Sequence, residues 1–277
     1  MYIDAHQHFW IYNPQEYDWI DDSMRVIRRD FLPEDLQTEP DRNDFRGSVA
    51  VQARQTLEET RWLLELAGRS PKILGVVGWV DLRSPDVRSQ FREFTQNPKL
   101  VGIRHIVQSE PDERFLLRED FLRGISLLEE FDLAYDILIY TKHLPVAAEF
   151  VERFPRQRFV LDHMAKPPIK NREIDAWASG VRRLASFPNV FCKISGLVTE
   201  ADWQHWTPED LTPYLDIAFE YFGPSRLMIG SDWPVCLVAS SYGRTMDVIK
   251  RYLQRHTAET RAAVLGGNAK RFWRLKL

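Results

Sequence analysis

The sequence lacks any apolar run approaching the roughly 18 residues that span a bilayer, and it lacks an excess of charge of one sign. Lys and Arg number 37 against 40 Asp and Glu, so the formal net charge is -3. This balance gives no support for nucleic-acid binding or for a role at a membrane surface. The first apolar strand begins almost at Met1 and leaves no room for a signal peptide, so we expect a cytoplasmic protein.

Cysteine is scarce: the 277 residues include two, Cys192 and Cys236. Two reduced thiols are the simpler interpretation, with one disulfide left open. The chain also has no GxGxxG loop after its first strand, no Pro/Gly/Ser linker and no low-complexity tract. Because 44% of the residues are apolar, a large core can form, and we expect one domain over residues 1–277.

Nearly continuous apolar runs alternate with segments of helical periodicity. We predict strands over residues 3–10, 47–53, 72–80, 100–107, 133–140, 158–163, 190–194 and 227–231. We predict helices over residues 56–67, 86–95, 120–131, 145–154, 174–186, 208–222 and 245–272, with another starting near 31–36. Eight apolar strands, each followed by a helical segment, predict a single (β/α)8 TIM barrel. An open doubly wound sheet is the alternative, and the missing phosphate loop argues against it.

Polar and titratable side chains end most of the predicted strands, where the active site of such a barrel lies. His6 and His8 point to the same face of the first strand, so they can converge on a metal ion, an oxyanion or a carbonyl. Asp4 is expected to hold the exit of that strand through backbone hydrogen bonds. The other strand-end candidates are Gln52, Trp79, Asp81, Arg104, His105, Asp136, Asp162, His163, Lys166, Lys193, Ser195 and Asp232. Each one alone is more often a cap or loop anchor, but their coincidence predicts a site.

Six segments resemble the amidohydrolase superfamily, and within it the branch that contains sugar lactonases and 2-pyrone-4,6-dicarboxylate lactonase. These segments are Asp4–His8, Val101–His105, Val160–Pro168, Cys192–Leu197, Gly230–Pro234 and Gly266–Ala269. They span the whole chain and occur in order on the eight-strand pattern. Within the branch, the chain looks most like the L-fuconolactonases and L-rhamnonolactonases.

The resemblance implies hydrolysis of the internal ester of an aldonic-acid lactone, with Asp232 as the general base. It implies that His6, His8 and His163, with Asp232, hold either one divalent metal ion or the substrate carbonyl directly. A His-rich site with one carboxylate suits Zn²⁺, and metal-independent catalysis stays open. A binuclear centre is not expected, because the bridging residue and the extra histidine of the binuclear members are missing from the fourth and fifth strands.

The sugar lactone expected as substrate needs an aromatic wall and several hydrogen-bonding groups. We predict the wall from Trp10, Trp79 and Trp233, and hydroxyl or oxyanion binding from Gln52, Arg104, His105, Lys166 and Lys193. Few arginines at the strand ends favour a neutral lactone over a dicarboxylate. Two other functions stay open: a metal-dependent decarboxylase of aromatic acids in the same superfamily, and a non-catalytic barrel that binds a ligand. We expect a monomer or a homodimer.

Overall fold

Eight parallel strands pair in sequence order in a computed structural model that describes residues 2–39 and 45–276. The strands are Tyr2–Gln7 (β1), Phe45–Val51 (β2), Ile73–Gly78 (β3), Leu100–His105 (β4), Ala134–Ile137 (β5), Phe159–Leu161 (β6), Val190–Ile194 (β7) and Leu227–Ile229 (β8). The ring closes just beyond β8, where the His8 amide donates to the Trp233 carbonyl and the Asp232 amide donates to the His6 carbonyl, at 2.6 and 2.8 Å. The predicted (β/α)8 barrel is therefore confirmed.

Helices follow the strands around the outside of this sheet. They are Pro33–Thr38 (α1), Leu57–Arg69 (α2), Val87–Phe94 (α3), Glu119–Ile125 (α4), Leu144–Glu152 (α5), Asp175–Ala185 (α6), Leu197–Glu200 (α7), Pro208–Phe222 (α8), Tyr242–Leu253 (α9), Ala258–Ala262 (α10) and Asn268–Trp273 (α11). Short 3₁₀ turns cover Asp22–Ile27, Val107–Ser109, Phe115–Leu117, Thr141–His143, Asp162–Ala165, Ile169–Asn171, Pro224–Arg226 and Val235–Val238. Side-chain caps begin several helices; the Thr56 hydroxyl, for example, accepts from the Glu59 amide at the start of α2.

The predicted elements differ from the observed ones mainly at their carboxyl ends. The fifth and sixth strands end at Ile137 and Leu161 rather than at residues 140 and 163, because the residues beyond leave the ladder to form the loops of the site. The predicted C-terminal helix over residues 245–272 is divided, since Thr257 caps a new helix by accepting from the Thr260 amide. The predicted helix over residues 120–131 ends at Ile125.

A buried apolar cluster fills one end of the barrel. Ile3, Val160 and Met228, near the beginnings of their strands, pack with Phe272 and Trp273 of the C-terminal helix. The C-terminal segment therefore covers the amino-terminal end of the strands, and the polar groups collect toward the opposite end.

Two sequence expectations are tested by the fold itself. Cys192 and Cys236 are free and buried, as the simpler interpretation expected. Within residues 2–39 and 45–276, no helix is long and apolar enough to cross a membrane.

Candidate active site

A bulge in β1 brings the two histidines of the first strand into the barrel. Asp4 pairs with Ser48 and Gln7 with Ala50, so three residue steps on β1 match two on β2. Such a bulge re-aims the side chains that follow it. Gly230 leaves room for the result, because a Cβ at that position would lie 2.7 Å from the His6 Cβ.

Four predicted residues meet at the carboxyl ends of the strands. The Nε2 atoms of His6 and His8 lie 3.2 Å apart. Oδ1 of Asp232 lies 3.4 Å from His8 Nε2 and 3.8 Å from His6 Nε2, and 3.9 Å from His163 Nε2. None of the four is more than 4% exposed. Three imidazoles therefore converge on one carboxylate. Together these four groups can bind a proton, a cation or a polarised carbonyl group.

Asp232 is held over the rings by contacts with the first strand. The Ser231 amide donates to Asp4 Oδ1 at 2.9 Å, and the Ser231 hydroxyl donates to Asp4 Oδ2 at 2.7 Å. Asp232 itself adopts a left-handed backbone, with φ of 56°. Asp4 therefore anchors the exit of its strand, as expected, and also joins the first strand to the last.

His163 opens a strained turn after β6. Residues 163–166 all have positive φ, between 50° and 60°, a conformation that costs roughly 1 kcal/mol or more for each non-glycine residue. The Trp177 indole N–H donates to the Met164 carbonyl at 2.7 Å, and His163 Nδ1 lies 2.9 Å from the Ser195 hydroxyl. Gly196, with φ of 65°, keeps that face of the ring clear. The strain is thus maintained by contacts that aim His163 at Asp232.

The electrostatics of the cluster favour an ionised Asp232 carboxylate beside neutral His6 and His163 rings. Burial opposes the charge on Asp232, but His163, His8 and His6 outweigh it and hold the pKa of its carboxyl well below the usual value. Burial lowers the pKa of His163 to about 4. Burial, with the charge of Lys193 adding to it, also lowers the pKa of His6 well below its usual value.

A charged layer lies next to the histidines, and it contains three of the residues predicted to bind the substrate, Gln52, Arg104 and Lys193. Arg104 donates from Nε and Nη2 to Gln52 Oε1, at 3.1 and 2.9 Å, and from Nη1 to Asp162 Oδ2 at 3.0 Å. Lys193 lies between Asp136 and Asp162. Gln52, Arg104 and Lys193 are at most 3% exposed. They support the site, because their polar atoms are already engaged with protein groups.

The predicted tryptophan wall is also corrected. Trp10 and Trp233 are both fully buried, and their indole N–H groups donate to the Arg29 carbonyl and to Glu39 Oε1. Neither ring offers surface to a ligand. Trp19, which sequence reasoning missed, packs edge-on to Trp10 with 6.0 Å between centroids and is 40% exposed. Its place in the long loop over residues 11–30 was the available signal.

Trp79 and His105 lie together at the carboxyl ends of β3 and β4. The Trp79 indole N–H donates to His105 Nδ1 at 3.3 Å, and His105 Nε2 lies 2.6 Å from Glu110 Oε1. Both ring nitrogens of His105 are therefore occupied, so this ring orients its neighbours rather than reaching a substrate. Trp79 remains half-buried and Glu110 is 23% exposed in its side chain.

Lys166 pairs with Glu200, a residue that the pattern of polar strand ends did not predict. Its Nζ lies 3.5 Å from Glu200 Oε1, at the end of the short helix after β7, and 5.4 Å from the centroid of the exposed Tyr140 ring. Burial raises the pKa of Glu200. A carboxyl group at the end of α7 is not at a strand end, and for this reason the sequence pattern did not point to it.

The described residues contain a candidate His/Asp site for a divalent metal ion. His6, His8 and Asp232 form one set of ligand atoms that lie close together, and His6, Asp162 and His163 form another. Ligands about 2.0–2.1 Å from a tetrahedral zinc ion lie roughly 3.3 Å apart. Within the set His6, His8 and Asp232, the separations of 3.2 to 3.8 Å fit a single ion.

Known proteins similar to this chain cover nearly its whole length. A family profile described as "Amidohydrolase" matches residues 3–275. An L-fucono-1,5-lactonase of Burkholderia multivorans is 42% identical over 284 residues, 99% of this chain and 96% of the relative. One from Burkholderia ambifaria is 39% identical over 277 residues, 99% of this chain and 95% of the relative. A crystal structure of an amidohydrolase from Burkholderia multivorans with bound zinc matches with a TM-score of 0.95 and 41% identity, covering 100% of both chains.

Proposed function

Because the chain belongs to the amidohydrolase family, we propose that it hydrolyses the internal ester of a sugar lactone of the L-fucono-1,5-lactone type. The observation that carries the proposal is the convergence of three histidine rings on Asp232. The two L-fucono-1,5-lactonases that match the chain over almost its full length support the choice of substrate class.

The reaction needs a base for water, a group that polarises the carbonyl, and a proton for the leaving oxygen. Asp232 accepts a proton from the attacking water, since its carboxylate is ionised at neutral pH. The water oxygen adds to the ester carbonyl carbon, and the imidazoles of His6 and His163 face the developing oxyanion. The bond from that carbon to the ring oxygen then breaks, and Asp232 returns its proton to the leaving oxygen.

Zinc is our proposal for the metal ion of the candidate site, which histidine and carboxylate ligands suit. His6, His8 and Asp232 would hold it, with His163 beside them. When bound, a zinc ion supplies carbonyl polarisation and lowers the pKa of a bound water.

The side chains around the histidine cluster favour a neutral, polyhydroxylated substrate. We propose that Trp79 and Trp19 supply aromatic surface, and that Lys166 and Glu200 bind hydroxyl groups. Arg104 and Lys166 are each paired with a carboxylate, at 3.0 and 3.5 Å. Neither cation is left over for the second carboxylate of a dicarboxylate, which favours a sugar lactone over a pyrone dicarboxylate.

A pH-indicator assay over a panel of aldono-lactones tests this function, because ring opening releases one proton. We expect turnover of L-fucono-1,5-lactone well above its spontaneous hydrolysis, with each lactone measured in buffer, with a chelator, and with added zinc. No turnover of any lactone under all three conditions refutes the proposal. Carbon dioxide release from hydroxybenzoates in place of lactone turnover would instead identify a decarboxylase.

A further inference from the structure

Lys166 and Glu200 form an ion pair that flanks the ring of His163. The Lys166 amide donates to the His163 carbonyl at 2.8 Å, so Lys166 closes the strained turn that His163 begins. Glu200 ends α7, which starts directly after Gly196. A Cβ at Gly196 would lie 2.7 Å from His163 Nδ1. The pair therefore approaches the histidine cluster from the loops that follow β6 and β7.

Hydrogen bonds fix the backbone on both sides of the pair. The Thr141 hydroxyl donates to the Lys166 carbonyl at 3.4 Å. In α7, the Thr199 hydroxyl donates to the Gly196 carbonyl at 2.7 Å, and the Trp203 indole N–H donates to the Thr199 carbonyl at 2.8 Å. Because both segments are anchored, the fold sets the separation of the two charged groups, as a binding site requires.

The pair keeps unused hydrogen-bonding capacity, unlike Arg104 and Lys193 nearby. Nζ of Lys166 lies 3.5 Å from Glu200 Oε1, and the two side chains are 20% and 22% exposed. Within residues 2–39 and 45–276, neither charged group has another hydrogen-bond or ion-pair partner. An ammonium group has three donors and a carboxylate has about four acceptor positions. A ligand can therefore bond to both groups without displacing a protein group.

The charges of the pair also act on the histidine cluster. Burial raises the pKa of Glu200; Lys166 opposes this shift and Asp232 adds to it. Burial lowers the pKa of His163 to about 4, and the positive charge of Lys166 adds to that shift. Each member of the pair is thus near one of the groups that meet in the cluster, so a substrate bound there extends toward the pair.

One donor group beside one acceptor group is complementary to hydroxyls. A hydroxyl both donates and accepts, whereas Glu200 repels a ligand carboxylate and Lys166 repels a ligand ammonium. A single hydroxyl that bonded both groups at about 2.8 Å in tetrahedral directions would hold them about 4.6 Å apart. The observed separation of 3.5 Å is shorter. Two neighbouring hydroxyls in the gauche relation fit it better, since each can bond one group along nearly parallel directions.

We propose that Lys166 and Glu200 are specificity-determining residues that bind a vicinal diol of the substrate. One hydroxyl accepts from Lys166, and its neighbour donates to Glu200. The inference rests on the proposed function for the lactone ring that carries the diol. It gives the pair no part in proton transfer, so a lactone without the diol should be opened poorly by the wild type and should not respond to changes in the pair.

Lactones that lack single hydroxyls test the proposal, together with the variants Lys166→Met and Glu200→Gln. Glu113→Gln is the matched control, because its carboxylate is 62% exposed and pairs with a lysine, Lys142, at 2.9 Å. With L-fucono-1,5-lactone, we expect each pair variant to lose about 10- to 100-fold in kcat/KM, the range for one hydrogen bond to a charged group. The control should keep the wild-type value, and circular dichroism should show that all three variants are folded.

The pattern over the panel separates hydroxyl binding from a structural or catalytic role. The loss in Glu200→Gln should disappear with the lactone that lacks one particular ring hydroxyl. The loss in Lys166→Met should disappear with the lactone that lacks an adjacent hydroxyl. δ-Valerolactone, which has no hydroxyl, should be opened at the same rate by the wild type and both variants.

Three results overturn the diol site. They are an equal loss with δ-valerolactone and with the sugar lactone, losses that map to hydroxyls that are not adjacent, and no loss with any lactone. The wild type alone provides a test that requires no variant to fold. It should lose about 10- to 100-fold in kcat/KM with each of two adjacent deoxy lactones, and equal values for the whole panel refute the proposal.

The 1,5-lactam that corresponds to L-fucono-1,5-lactone provides a measurement without turnover, because its amide resists hydrolysis. In calorimetric titrations we expect Lys166→Met and Glu200→Gln to weaken lactam binding by about 10- to 100-fold, and Glu113→Gln to leave it unchanged. If the lactam behaves in this way while the wild type opens no lactone, the proposed function fails and the diol site stands. If lactones are opened without regard to their hydroxyls, the diol site fails and the proposed function stands.

Discussion

Replacing Asp232 by Asn removes the carboxylate on which the rings converge and leaves a side chain of the same shape. In the native protein Oδ1 lies within 3.4 to 3.9 Å of three imidazole nitrogens. An amide can still hydrogen-bond, so the fold should be retained, but it cannot take a proton from water. General base catalysis contributes about 10²–10⁴-fold, or about 3–5 kcal/mol at roughly 1.36 kcal/mol per decade. We expect kcat/KM for the lactone to fall by that factor.

The assay is the pH-indicator measurement at neutral pH, with the spontaneous hydrolysis of the lactone subtracted. Asp247→Asn is the matched control, because its carboxylate lies on α9, 40% exposed, in an ion pair with Lys250. The control should keep wild-type kcat/KM, and near-identical circular dichroism should show that both variants are folded. A folded Asp232→Asn enzyme within about twofold of wild type would refute the assignment of the base, since even the low end of the expected range is about 10²-fold.

Three further changes test the structural reasoning. Gly230→Ala should lower the free energy of unfolding by about 1–3 kcal/mol in urea titrations, since its Cβ would lie 2.7 Å from that of His6, whereas Gly68→Ala in α2 meets nothing within 4 Å and should not destabilise. Lys99→Met should lower the free energy of unfolding by about 1–3 kcal/mol, because Nζ donates to three backbone carbonyls at 2.5, 2.8 and 3.3 Å. An unchanged urea midpoint would contradict this. Burial raises the pKa of Glu59 from 4.5 to about 7, so the contribution of this group to stability falls as the pH rises from about 4.5 toward 7. If the urea midpoint of Glu59→Gln keeps the pH dependence of the wild type, this reasoning is contradicted.

The aromatic residues show where sequence reasoning reached its limit. The first and last strands end beside Trp10 and Trp233, and strand ends are where a barrel binds its substrate. In the structure both rings are fully buried against other aromatic rings, whereas Trp19 is 40% exposed. Position along a strand predicts that a residue lies near the site. Whether a loop covers it depends on packing between segments that the local pattern does not specify.

The sequence by itself determined the alternation of eight apolar strands with helices, and the placement of His6, His8, His163 and Asp232 at strand ends. Both follow from side-chain periodicity, which is local to each element. Only the tertiary structure decided that Lys193 contacts His6 rather than a substrate. The two residues are 187 positions apart, and their contact exists because β1 and β7 face the same barrel interior. Burial then removed the water that would otherwise have solvated the ammonium group. Its partners are instead Asp136 on β5, Asp162 in the turn after β6 and His6 on β1.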